Sequence, residues 1–134
     1  GCRVPIPWTK DAAGAHGFSN NKNLTVDKAW LPQSLGWGDR SVDTQQGVAG
    51  SFFEMVKAAL AIRKRESGLG DGQMDWIDVN DDVIAFERPG KFACYVNFGA
   101  ADVVIPYGAK VLLASSELKG QHIPTDTAVW LRLQ

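Results

Sequence analysis

Ile84-Ala85-Phe86-Glu87-Arg88-Pro89-Gly90-Lys91-Phe92-Ala93-Cys94-Tyr95-Val96-Asn97-Phe98 is the stretch on which the fold turns. On its first side Ile84 and Phe86 alternate with Ala85 and Glu87. On its second side Phe92, Cys94, Val96 and Phe98 share one face. Alternation with period two is the signature of a strand with one face buried. Between the sides, Pro89 and Gly90 occupy the positions a type II turn prefers, because proline presets φ and glycine supplies a positive φ. The stretch predicts a β-hairpin with Cys94 on its apolar face, buried and unreactive.

Strand-like segments continue outward from this hairpin. Met74, Trp76 and Ile77 begin a first strand. Val103 to Ile105 and Val111 to Ala114 are two short ones, separated by Pro106-Tyr107-Gly108. In the last, Thr127, Val129, Leu131 and Leu133 share a face opposite Ala128, Trp130 and Arg132. Five or six closely spaced strands with turn residues between them predict an antiparallel sandwich or open barrel.

Upstream the period changes. From about Gly50 to Ser67, Phe52, Phe53, Val56, Ala59, Leu60 and Arg63 recur at spacings of three and four, which predicts one amphipathic helix. Ser51 with Glu54 three positions later fits a capping box. Lys57, Arg63, Lys64 and Arg65 gather toward the end where the helix dipole favours cations, and Gly68 and Gly70 stop it. The apolar face is wide and needs a surface to bury against. Residues 1 to about 50 look irregular, with Pro5, Pro7, Pro32, seven of the 14 glycines and three of the five tryptophans, Trp8, Trp30 and Trp37. Indoles in such a segment predict a loop wrapped against something larger, since tryptophan is mostly buried.

The whole chain has 134 residues, 45% of them hydrophobic and 22% charged, which suits a packed domain and argues against global disorder. Its 14 basic and 15 acidic residues leave a net charge of -1, without the basic excess of a nucleic-acid binder. The longest apolar runs are strand-sized, so no membrane partner is expected. The start lacks both a methionine and a hydrophobic leader, which suggests a processed or excised chain. Cys2 and Cys94 form no disulfide framework, so a reducing, cytoplasmic location is expected.

Few residues suggest chemistry. His16 and His122 stand far apart without metal-spaced partners and are read as surface histidines. Asp78, Asn80, Asp81 and Asp82 imitate the start of a calcium loop. Val83 stands where that loop needs glycine and Pro89 where it needs its closing glutamate, so a polar turn is expected. Ser115-Ser116 has no evident base. Gly68-Leu69-Gly70-Asp71-Gly72 follows a helix and lacks a Lys-Ser/Thr ending, so it reads as a linker and not a phosphate loop. No catalytic residue, metal or cofactor is assigned.

Gly1-Cys2-Arg3-Val4-Pro5-Ile6-Pro7-Trp8 resembles the segment after the eighth barrel strand in the α-glucosidase branch of the α-amylase superfamily, oligo-1,6-glucosidases and maltases included. Gly17-Phe18-Ser19, Trp30-Leu31-Pro32, Val42 with Gln45, and Ser51, Lys57, Leu60, Ile62 and Arg63 resemble further motifs of that family, in the same order. Pro124 with Thr127-Ala128-Val129-Trp130 resembles the end of its β-domain. Val4, Ile6 and Pro7 stand where the commoner form has Thr, Met and Gln, which leaves the glucoside preference open. Val48-Ala49-Gly50 replaces an Asp-Pro pair.

The resemblance implies that residues 1–68 are the C-terminal end of a (β/α)8 catalytic barrel, its last loop and helix, and that residues 69–134 are the C-terminal β-sandwich. A complete barrel takes roughly 200 to 250 residues. The implied parent is a retaining α-glucosidase that acts on maltose- and isomaltose-type oligosaccharides with carboxylates upstream of Gly1. The chain alone would then be inactive, would lack its N-terminal barrel as a partner, and would tend to self-associate. Arg3 is the one residue expected to touch substrate, at the terminal glucose. Two alternatives stay open: a carbohydrate-binding sandwich using Trp30, Trp37 or Trp76, and a glucosyl-transferring or trehalose-forming enzyme of the same superfamily.

Overall fold

The computed structural model describes residues 4–134 of the chain. It forms two compact units, one ending at Met55 and the other running Val56–Gln134.

The first unit is loop-rich but not loose. It holds α1 (Ala13–Gly17), a 3-10 turn at Leu35–Arg40 and α2 (Val42–Gln45). Gly14, Ala15 and His16 have φ of 67, 54 and 55°, so α1 is a left-handed turn. An L-residue with a Cβ pays roughly 1–2 kcal/mol for that conformation, so surrounding contacts must hold Ala15 and His16 in it. Ala15, His16 and Ser41 are fully buried and Gln33 nearly so. The unit thus has its own small polar core, where the sequence predicted a loop dependent on a larger surface. Its large apolar side chains still face outward, Trp30 at 93% and Leu35 at 71% exposure.

The helix α3 (Phe52–Arg65) begins in the first unit and continues in the second. Its capping box is half made. The Ser51 hydroxyl accepts from the Glu54 amide at 3.3 Å, but the Glu54 carboxylate accepts from the Gly47 amide, not from Ser51. Gln45 supplies the missing cap, its side-chain oxygen taking the Phe53 amide at 3.1 Å. A second 3-10 turn, Ser67–Leu69, ends the helix at the expected glycines.

The second unit carries seven strands: β1 (Asp75–Trp76), β2 (Val83–Arg88), β3 (Phe92–Asn97), β4 (Val103–Val104), β5 (Lys110–Ala114), β6 (His122–Ile123) and β7 (Thr127–Arg132). Five form an antiparallel sheet in the order β1-β2-β3-β7-β5, and β4 pairs with β6 in a second, two-stranded sheet. The fold is mainly β with one long helix, as the alternation predicted. Val83, Ala85, Ala93, Tyr95, Val129 and Leu131 from the large sheet meet Ile105 and Ile123 in one core. At the deciding hairpin Arg88 pairs with Phe92, and Gly90 has the positive φ of 78° that the turn requires.

One face assignment is corrected. Cys94 is buried, but with Phe92 it lies on the face opposite that core, in register with Trp130, while Ala93 and Tyr95 point into the core. Phe98, expected on the same buried face, is 61% exposed. The central strand β3 is covered on both faces over Phe92–Tyr95, and a strand buried twice reads as a continuous apolar run. Period two alone then cannot say which face is inner.

Candidate functional site

Arg3, the residue expected to contact substrate, lies outside the described residues. The fastening of the chain from Pro5 onward can be followed bond by bond. The Gln33 amide donates from Nε2 to the Pro5 carbonyl at 2.8 Å. The Val42 amide donates to the Pro7 carbonyl at 3.0 Å, and the Asp43 amide to the Trp8 carbonyl at 3.1 Å. The His16 carbonyl accepts from the Trp8 and Thr9 amides at 2.8 and 3.0 Å. Asp43 Oδ2 accepts from the Lys10 amide at 3.1 Å.

The holders are themselves held. Ser41 donates its hydroxyl within reach of both the Gly38 carbonyl at 2.6 Å and Asp43 Oδ1 at 2.5 Å. That hydroxyl, and then the Lys10 amide, hold the Asp43 carboxyl below its usual range. The His16 ring places Nε2 3.2 Å from the Ser34 carbonyl. A carbonyl only accepts, so Nε2 carries the proton there. Nδ1 of His16 and Oε1 of Gln33 are buried without a hydrogen-bond partner among the described residues. The reading of His16 as a surface histidine is therefore corrected. It is fully buried, because its left-handed backbone turns the ring inward against Ser34 and Gly38.

The other candidates resolve plainly. His122 stays on the surface beside the Lys119 carbonyl. Asn80 Oδ1 accepts the Asp82 amide at 2.9 Å, the expected polar turn before β2. Among the described residues no cluster of His, Cys, Asp or Glu could hold a metal ion. No helix among them is long and apolar enough to cross a membrane. The glycine-rich linker is pinned by Arg88, which donates to the Gly68 and Gly70 carbonyls at 3.1 and 2.8 Å. Trp30 and Trp76 are exposed, and Trp76 meets Phe86 edge-on at 6.2 Å.

Shallow recesses mark the second unit. One of about 370 Å³ contains two carboxylates, Asp75 and Glu87, opposed across β1 and β2. Both are exposed on an open sheet edge, with Arg88 and Lys91 beside them. Acid and nucleophile roles require two carboxyls flanking a sugar bond in a closed cleft, and an open edge forms none. Gln33, Ser41 and Asp43 were not singled out in the sequence. The Ser-x-Asp spacing before a short helix was the available signal for the last two.

No family model matches the chain. A probable alpha-glucosidase of Rhizobium meliloti (strain 1021) is 30% identical over 88 residues, which is 66% of this chain and 14% of that protein. The solved alpha-glucosyl transfer enzyme XgtA matches 98% of the chain with a TM-score of 0.69 and 27% identity, over 25% of its own length. The α-amylase from H.orenii matches 98% with a TM-score of 0.67 and 18% identity, over 28% of its length. The fold, a helix followed by a lopsided antiparallel sandwich, is thus that of the C-terminal portion of α-amylase-type enzymes. The chain is similar to the C-terminal region of α-amylase-family enzymes, and it spans only about a quarter or less of the proteins it matches.

Proposed function

We propose that the chain is the C-terminal part of a cytoplasmic, retaining α-glucosidase that releases terminal α-linked glucose from maltose- and isomaltose-type oligosaccharides. The observation that carries this reading is the match to a probable alpha-glucosidase over 88 residues. The ordered motifs from Arg3 to Trp130 support it. In a retaining glycosidase one carboxylate attacks the anomeric carbon while a second protonates the leaving oxygen and then activates water. None of the carboxylates described above sits in an enclosed cleft suited to either task, so the catalytic pair belongs to a barrel upstream of this chain. Residues 1–68 would complete that barrel, and residues 69–134 would form the β-domain beside it.

The test compares two polypeptides with a chromogenic α-glucoside and with maltose. The longer protein, with its upstream region, is expected to turn over both and to release the α-anomer of glucose first. The 134-residue chain alone is expected to show no turnover. Activity of the short chain that persists through purification would sink this reading.

The 27% identity with an alpha-glucosyl transfer enzyme favours a second reading, transfer in place of hydrolysis. Product analysis with a sugar acceptor in excess separates the two: transfer yields new oligosaccharides, whereas hydrolysis yields glucose. Titrating the short chain with maltose addresses a free-standing binding module, which alone would show saturable binding.

A further inference from the structure

We infer that a recess beside the helix exit in the second unit binds a phosphate group, held by Arg65, Lys110 and Arg132. The site stands apart from the α-glucosidase reading, since it uses no residue of the first unit and no upstream chain.

Charge and register point to it together. The recess has a volume of about 380 Å³ and is lined by Arg65, Glu66, Lys110, Leu112 and Arg132. Three cations surround one carboxylate, a local excess of two positive charges in a chain whose net charge is -1. Lys110 also stands directly opposite Arg132 across β5 and β7. Directly opposed residues of an antiparallel pair share a face, and like charges there repel. Among the described residues no ion pair answers Lys110. An anion seated between the two side chains turns that repulsion into attraction.

Glu66 orients the donors. It is 5% exposed and gives one oxygen to each arginine, Oε1 to Arg65 Nε at 3.4 Å and Oε2 to Arg132 Nη2. Its backbone is fixed at the end of α3, the amide donating to the Ile62 carbonyl at 2.8 Å and the carbonyl accepting the Leu69 amide at 3.0 Å. The carboxylate therefore steadies two guanidinium groups while turning little of its own charge outward. Among the described residues each arginine side chain makes one hydrogen bond, the one to Glu66, so the rest of each five-donor fork is open to a ligand. A phosphate group near neutral pH carries roughly two negative charges and presents several strong acceptor oxygens, which matches both the charge excess and the donors. Arginine forks suit it bidentately and lysine as a point charge. A lone carboxylate would offset only part of the excess.

The test uses the 134-residue chain at about pH 7.5, where phosphate is mostly the dianion, and at constant ionic strength. Lys110→Gln is the variant, because it removes a cation without touching Glu66 or either arginine. Calorimetric titration with inorganic phosphate and with glycerol 3-phosphate is expected to show saturable binding below about 5 mM. Tighter binding of the ester assigns the recess to a phosphorylated small molecule, and equal affinities assign it to the free ion. The variant should weaken either by at least about fivefold, the scale of one charge-assisted hydrogen bond. Thermal midpoints supply the second readout. Without phosphate the variant should melt no lower than the parent chain, since a repulsion has been removed. Phosphate at about 10 mM should raise the parent's midpoint by at least twice as much as the variant's, because a bound ion stabilises only the form that binds it. No saturable binding up to about 10 mM overturns the inference. So does an unchanged affinity in the variant, or an equal rise of both midpoints, which would be the effect of an excluded salt without a site.

Discussion

The α-carbon of Gly68 lies directly against the Pro89 carbonyl, so close that a Cβ added at Gly68 would overlap the carbonyl oxygen. The same Cβ would crowd Phe92 Cβ at 3.3 Å. Neither obstacle is a flexible side-chain end: one is backbone and the other a strand residue that is 2% exposed. The approach lets Arg88 reach the Gly68 and Gly70 carbonyls and tie the helix exit to the hairpin turn. Gly68→Ala should therefore destabilise the second unit by about 1–3 kcal/mol, the usual cost of forcing atoms into a packed site. Urea unfolding followed by far-ultraviolet circular dichroism checks this, and an unchanged midpoint would show that the linker can move away from Pro89.

Alkaline pH should weaken the same unit through β3. Burial pushes the Cys94 thiol up, opposed in part by a hydrogen bond from Trp130. Burial first, and then the Glu87 charge, push the Tyr95 phenol up. Both groups are neutral when protonated, so the folded chain keeps these protons to higher pH than the unfolded chain does. The stability that this difference contributes is whole below the ordinary thiol value of 9.0 and is lost as pH rises through the raised folded values. Unfolding midpoints from pH 8 to about pH 11 should fall, and Cys94→Ala should flatten the first part of the fall. A midpoint that stays level across that range would contradict the burial of both groups.

The sheet was legible because its strands obey period two and its turns carry Pro and Gly. In the last strand the residues that share a face are the buried ones: Thr127, Val129 and Leu131 are all buried. The hairpin's faces were ambiguous for the reason β3 shows: apolar residues stand on both sides of a twice-covered strand. The short β6 was missed because His122 and Ile123 carry no pattern of their own. The holding side chains around Pro5–Lys10 were hidden for a different reason. Gln33, Ser41 and His16 are polar residues buried by long-range hydrogen bonds, and hydropathy assigns such residues to the surface. The family motifs pointed to Arg3 but not to what fastens its neighbours.

Self-association of the isolated chain is expected from its first unit. Trp30, Leu35, Ile6 and Phe18 are 93, 71, 60 and 60% exposed. Apolar area on that scale favours association when nothing covers it. Sedimentation velocity from about 10 to 500 μM should show a mass that grows with concentration, a micromolar range typical of weak protein association. Trp30→Ser with Leu35→Ser should reduce that growth without lowering the unfolding midpoint, because neither side chain contributes to a core. A chain that stays monomeric throughout would mean that these residues are too scattered to form an adhesive surface.

The sharpest expectation concerns Arg3 in the full-length enzyme. By resemblance, the matching arginine reaches the terminal-glucose subsite beside an upstream carboxylate. A guanidinium offers a rigid fork of donors that can serve a carboxylate and a sugar hydroxyl together, whereas an ammonium is a point charge on a flexible stem. Arg3→Lys keeps the charge and loses the fork. It should lower kcat/KM for maltose or isomaltose by at least about tenfold, roughly one charge-assisted hydrogen bond. The thermal midpoint should move little, because the charge is kept and solvent-exposed ion pairs in general contribute roughly 0–1 kcal/mol. The competing account makes Arg3 a rim ion pair with no ligand role, and it predicts the reverse: kinetics preserved, with any loss confined to stability. Measuring both quantities on the one variant separates the accounts, and near-normal kinetics would remove Arg3 from the substrate site.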